Sequence, residues 1–289
     1  MDGAMTRQHT WYETIRGYLV LPHAVPIMVV MTATAAFALL AAGGWPGSGT
    51  MTRLLGAMLA GQLAVGAVNE LVDADLDAVA KPEKPIPSGL VSRRGARLVA
   101  FGGALIMTVL SLSFGATSFL LCALGTGAGV AYSVWFKRTI WSWIPYLVAL
   151  PLVPVWVWAT LGTVPAGLYA VWPIGAAAVI AVQLAQSMPD VDADRQTGVQ
   201  TLAVALGADT ARRACWGTLL ATAALAALLA PWLTEHPARV WAGAVIAGGL
   251  VIVNVVIWRR EARRGVMACF PCVAAGAVAL GVGWAAALV

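Results

Sequence analysis

Charge is what this chain has least of. Only 11% of its 289 residues are Asp, Glu, Lys or Arg, while 60% are hydrophobic and the mean hydropathy is +0.82. Soluble domains carry about 25% charged residues, so the shortage excludes that class. Cysteine is scarce as well, with four residues. Cys269 and Cys272 form a C-x-x-C, but Phe270 and Pro271 lie between them inside an apolar run. A redox or metal pair needs an electropositive, solvent-reachable setting, so these read as small packing residues. A cleavable leader is not expected either, because Met1 to Tyr18 is polar and leads straight into a long apolar run.

Apolar residues are spread along the whole chain. The expected fold is all-α, a polytopic membrane protein with about nine transmembrane helices bundled around a central cavity, residues 1–289 forming one domain. The spans fall near 18–41, 53–72, 96–115, 117–136, 140–161, 166–188, 211–232, 239–258 and 265–288. Basic residues set the orientation. Of the 18, all but Arg53 and Arg239 fall in the N-terminus or the loops after even-numbered spans. The positive-inside rule places those segments in the cytoplasm, with the chain in the cell's inner membrane. The net charge of +5 is thus a topology signal and gives no support to a nucleic-acid partner.

Eight of the 13 acidic residues sit in two patches at the cytoplasmic ends of even-numbered spans. Asn69, Asp73 and Asp77 stand at four-residue intervals, and Gln186, Asp190 and Asp194 repeat the spacing. On a helix each step turns about 40° and rises about 6 Å, so each set makes a polar stripe. The preceding stretches, Leu54 to Val68 and Val171 to Ala185, are apolar enough to lie in a bilayer. A carboxylate at mid-membrane costs about 2.5–3.5 kcal/mol on insertion scales, so paired stripes call for a cation. The recurrence also fits a duplicated helical unit.

Asp73, Asp77, Asp190 and Asp194 are hard oxygen donors of the kind that suits Mg²⁺, an ion usually shared between one or two carboxylates and substrate phosphates. The competing reading, solvated acidic helix ends, conflicts with the preference of helix C-termini for cations. Asn69 ligates metal or makes a helix–helix hydrogen bond. Asp192, Glu70 and Asp75 fall off the main stripes, although Pro189 kinks the second segment and leaves Asp192 able to turn inward. Lys81, Lys84, Lys137, Arg138 and Arg195 are candidates to neutralise a diphosphate; the alternative is that they only fix topology. Lys84 stands out because Pro82, Pro85 and Pro87 stiffen its loop. Tyr132, beside Ser133 and close to Lys137, belongs either to a pocket or to the interfacial aromatic belt. Trp135, Trp141, Trp143, Trp156 and Trp158 crowd spans four and five as anchors or packing, and an aromatic cavity would also steady a carbocation. His23 reads as packing or interfacial.

These residues resemble the UbiA superfamily of intramembrane prenyltransferases. Asn69-Glu70-Leu71-Val72-Asp73-Ala74-Asp75-Leu76-Asp77 and the loop Lys81 to Gly89 are similar to its N-D-x-x-D-x-x-x-D signature and K-P-x-R-P-I-P-S-G tail. Pro189 to Arg195, with Gly198 and Thr201-Leu202, resembles the D-x-E-G-D-R…G…T-L stretch, and Tyr132-Ser133 with Lys137 the Y-S…K/R segment. Glu70 stands where Asp is usual, and Gln186 and Ser187 where Asn or Lys and an acid are frequent. The resemblance implies Mg²⁺-dependent ionisation of an allylic polyprenyl diphosphate and attack by a lipophilic acceptor, commonly an aromatic ring. It implies Mg²⁺ on Asn69, Asp73 and Asp77 and on Asp190 and Asp194, with Asp192 as a further ligand. Lys84, Lys137 and Arg195 would steady the leaving group. Some members instead cyclise the diphosphate with no acceptor. An ion-coupled carrier is the remote alternative, since carriers place polar residues on broken helices near the midplane.

Overall fold

The computed structural model describes residues 10–21 and 24–289, and among them every regular element is helical. Among the described residues nine helices, alone or run together, are long and apolar enough to cross a bilayer, as the hydropathy pattern requires. Helices are numbered in chain order. A short α1 (Trp11–Val20) precedes α2 (Ala24–Ala41), α3 (Ser48–Ala80), α4 (Arg93–Leu112), α5 (Ala116–Ala131) and α6 (Ile144–Leu161). Then come α7 (Val171–Ser187), the small α8 (Val191–Gln196) and α9 (Leu202–Leu206), and α10 (Ala208–Leu233), α11 (Pro237–Arg260) and α12 (Ala262–Ala286).

The first expected span, 18–41, is revised. Residues 18–20 belong to α1, and the spanning helix is Ala24–Ala41. Pro22 supplies no amide hydrogen for a helix running through from Tyr18. It and His23 lie outside the described residues, so the reading of His23 finds no structural counterpart. The Thr10 hydroxyl caps α1, accepting from the Glu13 amide at 3.3 Å, and the Glu13 carboxylate accepts from the Thr10 amide at 2.8 Å.

Each spanning helix turns a lipid face outward. Along α4, Leu98, Phe101, Leu105 and Val109 are exposed at three- and four-residue spacings. The inward faces use small residues where backbones meet. A Cβ built on Gly103 would stand 2.6 Å from the Ala60 carbonyl oxygen and 3.1 Å from the Ala64 amide, so α3 and α4 touch backbone to backbone there. Gly103→Val is therefore expected to cost about 1–3 kcal/mol by forcing the pair apart. A lowered melting midpoint of the detergent-solubilised protein checks this; an unchanged midpoint would count against the contact.

α2 packs on both α6 and α12, while α7 packs on α6, α10 and α12, which closes the helices around an interior. One core joins Phe37, Leu54, Trp156 and Trp158. Another joins Leu184, Leu219, Val251 and Val273. Between them lies a mostly apolar cavity of about 320 Å³, within the range that takes a drug-sized ligand. Its aromatic residues are Phe37, Tyr132, Tyr146, Phe270 and Trp284. The tryptophans crowded into spans four and five do not line it. Trp135 and Trp141 are exposed, and buried Trp156 donates its indole N–H to Ser118 Oγ at 3.0 Å. Cys215 and Cys269 lie buried with sulfurs 3.9 Å apart, so Cys269 packs on another helix rather than pairing with Cys272.

Candidate active site

The site begins where α3 outruns the bilayer. Its 33 residues rise about 50 Å, against about 30 Å of hydrocarbon, so its final turns need not lie in lipid. Those turns carry Asn69 to Asp77, and Asp73 and Asp77 are buried against the bundle. Asn69 faces the cavity, joining the apolar interior to the acidic end.

Lysines from two loops meet these groups. The Lys137 ammonium donates to Asn69 Oδ1 at 2.9 Å and pairs with Asp73, whose other oxygen lies 3.3 Å from an Arg138 nitrogen. The backbone delivers Lys137 through a widened helical turn, Tyr132–Phe136, at the end of α5. Such π turns are frequent at functional sites. Lys84 bridges Glu70 Oε1 at 2.7 Å and Asp77 Oδ2 at 2.8 Å. Sequence spacing had put Glu70 off the stripe, yet it is 1% exposed and shares Lys84 with Asp77. The reason is periodicity: seven residues are about two turns, which returns Glu70 to the face of Asp77. Asp75, by contrast, is exposed and pairs with Arg93.

Local hydrogen bonds hold Lys84 in place. The Ser88 amide and hydroxyl donate to the Lys84 carbonyl at 2.9 and 2.7 Å. Burial opposes the ammonium charge, but hydrogen bonds and attraction from Asp77 and Glu70 outweigh it and raise the Lys84 pKa above 10.5. A raised lysine pKa adds stability that is fully present below the ordinary value and is lost as pH rises through the folded one. The window thus lies above pH 10.5, and this ion pair is constant across neutral pH.

The second segment is broken into pieces. α7 stops at Ser187, Met188–Asp190 forms a 3₁₀ turn containing Pro189, and α8 resumes at Val191. The break brings Asp190 to Lys81 of the first loop at 2.6 Å, which ties the two acidic segments together. Asp194 lies within electrostatic reach of Asp190, Lys137, Lys81 and Asp73, and Tyr132 within reach of Asp73, Asp190 and Asp194. Asp192 and Arg195 are exposed instead, one residue to either side of Ala193 and Asp194, and neither joins this group. Gln186 lines the cavity and accepts from the Tyr146 hydroxyl at 2.7 Å. Tyr146 meets Tyr132 edge to face, ring centroids 5.1 Å apart. Tyr146 and the Lys81–Asp190 bridge gave no local sequence signal, since both depend on contacts between segments distant in the chain.

The donor set fits Mg²⁺. Carboxylate and amide oxygens are hard ligands, and among the described residues no three Asp, Glu, His or Cys side chains converge to cage an ion unaided. Mg²⁺ keeps waters and shares one or two carboxylates with substrate phosphates, which suits such an open set.

Comparison with known proteins agrees. The model of the UbiA prenyltransferase family matches residues 29–270. The Bacteriochlorophyll synthase 33 kDa chain of Cereibacter sphaeroides is 35% identical over 211 residues, 66% of this chain and 67% of that protein. Digeranylgeranylglyceryl phosphate synthase of Natronomonas pharaonis is 30% identical over 157 residues, 52% of this chain and only 56% of that one. A UbiA homolog from Archaeoglobus fulgidus, solved bound to GPP and Mg²⁺, superposes with a TM-score of 0.66 at 17% identity, covering 94% of this chain and 100% of that one. The apo UbiA homolog from Aeropyrum pernix K1 gives 0.68 at 18% identity over 89% and 96%. This integral membrane chain belongs to the UbiA prenyltransferase family.

Proposed function

We propose that the protein transfers a prenyl group from an allylic polyprenyl diphosphate to a lipophilic acceptor, with the diphosphate held between the two acidic segments. One observation carries this reading. Lys81 joins Asp190 to the loop after α3, and the same cluster opens through Asn69, Tyr132 and Gln186 into an apolar cavity. A charged head and a greasy tail thus find adjoining places.

In this reading Asn69, Asp73 and Asp77 hold one Mg²⁺, and Asp190 and Asp194 another. Held there, the ion would supply positive charge against the departing diphosphate. Lys84 and Lys137 steady the diphosphate's remaining oxygens, with Lys81 and Arg138 beside them. The exposed Arg195 can join only from the rim. As the allylic C–O bond breaks, its electron pair leaves with diphosphate and the tail becomes a carbocation. The cavity, with only Tyr132, Tyr146, Asn69, Gln186 and a few other polar groups, keeps water from that cation. The acceptor's nucleophilic atom then bonds to the cation, and its proton passes to the released diphosphate. The distribution of basic residues supports an inner-membrane protein whose site opens to the cytoplasm.

The test incubates nanodisc-embedded protein with Mg²⁺ and C10 to C20 allylic diphosphates, with and without phenols, a chlorophyllide or a glyceryl phosphate. Prenylated acceptor by mass spectrometry is the expected result. A free cyclic hydrocarbon formed without acceptor would replace transfer by cyclisation, and intact diphosphate under every condition would sink both. Omitting Mg²⁺ and adding EDTA is expected to reduce product to background.

A further inference from the structure

Gln183 is out of place. It sits within α7, fully buried among apolar neighbours, and does not line the cavity. Its amide nitrogen donates to Ser142 Oγ at 2.8 Å and to Ser187 Oγ at 2.9 Å. Its Oε1 is buried without a hydrogen-bond partner among the described residues. A buried amide left half satisfied at membrane depth is destabilising, and leucine would fill the same volume without that cost. Packing alone therefore does not account for it.

What Gln183 joins does. Ser142 is five residues beyond Lys137 in the turns that lead into α6, and Ser187 immediately precedes the Met188–Asp190 turn. Followed through side-chain links and the short backbone segments between them, the connections form a closed ring. From Asp73 it passes to Lys137 and along its loop to Ser142, through Gln183 to Ser187, then by Asp190 to Lys81, and back to α3. The Ser187 hydroxyl also donates to the Gln183 carbonyl at 3.1 Å, which fixes its rotamer. Every other side-chain link in the ring is an ion pair at the acidic end. Gln183 connects the Lys137 loop with the Asp190 turn through the two serines that border them, alongside the Tyr146–Gln186 hydrogen bond between the adjoining helix ends.

We propose that Gln183 is a positioning residue, a clamp that sets the spacing between Lys137 and Asp190 and so fits the site to magnesium diphosphate. This rests on the functional reading above. The clamp touches neither substrate nor metal, and acts as outer-shell partners do on the ligands they orient.

The experiment uses full-length protein in nanodiscs carrying Gln183→Leu, Ser142→Ala or both. Two properties are read: the rise in melting midpoint on adding MgCl₂ with inorganic diphosphate, and KM and kcat for the prenyl diphosphate. Gln183→Leu is expected to keep or raise its ligand-free midpoint, lose most of the diphosphate-induced rise, and raise KM and the Mg²⁺ half-saturation by about tenfold or more. Saturated kcat is expected to stay within about threefold, since no group at the reacting atoms changes. The double variant is expected to be little worse than Gln183→Leu alone, because both remove one link. A wild-type KM and diphosphate shift in Gln183→Leu, effects of the two changes that add, or a fall in kcat alone would each overturn the clamp. If Gln183→Leu does not fold, Ser142→Ala, which removes a single hydroxyl, decides by the same two readouts. An inactive wild type would instead contradict the functional reading, and the diphosphate-induced shift would still judge the clamp.

Discussion

Asp73→Asn is expected to lower prenyl diphosphate turnover by about 10²- to 10³-fold while the protein stays folded in membranes. The change is isosteric, so packing along α3 is kept. What is lost is charge, at a carboxylate that engages two cations: Asp73 pairs with both Lys137 and Arg138 and is buried beside the cavity's polar mouth. In the proposed mechanism it also ligates Mg²⁺, so one substitution weakens the metal and unbalances two cations together. Such a loss corresponds to about 3–4 kcal/mol of transition-state stabilisation. Steady-state product formation at saturating Mg²⁺, alongside a melting curve, separates this outcome from simple unfolding. Turnover within a few-fold of wild type would remove Asp73 from the site.

The second large effect falls on stability. Lys84 is the ammonium shared by Glu70 and Asp77, two carboxylates on one buried helix face. Lys84→Met keeps the side chain's length and apolar stem but takes that charge away. Breaking a buried ion pair from one side costs about 3–5 kcal/mol. The Lys84 side chain is 18% exposed, so solvent screening favours the lower end, about 3 kcal/mol. Unfolding midpoints of purified protein without substrate are expected to fall accordingly, with Lys84→Arg recovering much of the loss. An unchanged midpoint in Lys84→Met would mean that the loop is not held by these pairs.

Much of this was legible in the residues themselves. Hydropathy gave the nine spans because each crossing of a bilayer needs about 20 mostly apolar residues. The four-residue spacing of Asn69, Asp73 and Asp77 put them on one face, and α3 runs unbroken through all of them. The second segment was harder to read, since Pro189 changes the helical phase and only a fold can say that Asp194 turns inward while Asp192 faces solvent. Glu70 was misjudged because a stripe counted in fours hides a partner two turns away. Pairings between distant segments, such as Lys81 with Asp190 or Tyr146 with Gln186, depend on tertiary contacts that no local pattern encodes. Gln183 did leave a trace, as an amide one turn inside an apolar helix, but its meaning rests on Ser142, 41 residues away.

The central claim is that the two acidic segments form one site for a prenyl diphosphate. Calorimetric titration of GPP into nanodisc-embedded wild type, Asp73→Asn and Asp190→Asn, each with and without MgCl₂, tests it most directly. The expected result is Mg²⁺-dependent binding in the wild type that either substitution alone weakens by about tenfold or more. Binding that ignores Mg²⁺, or that survives intact when Asp190 is changed, would contradict a shared site.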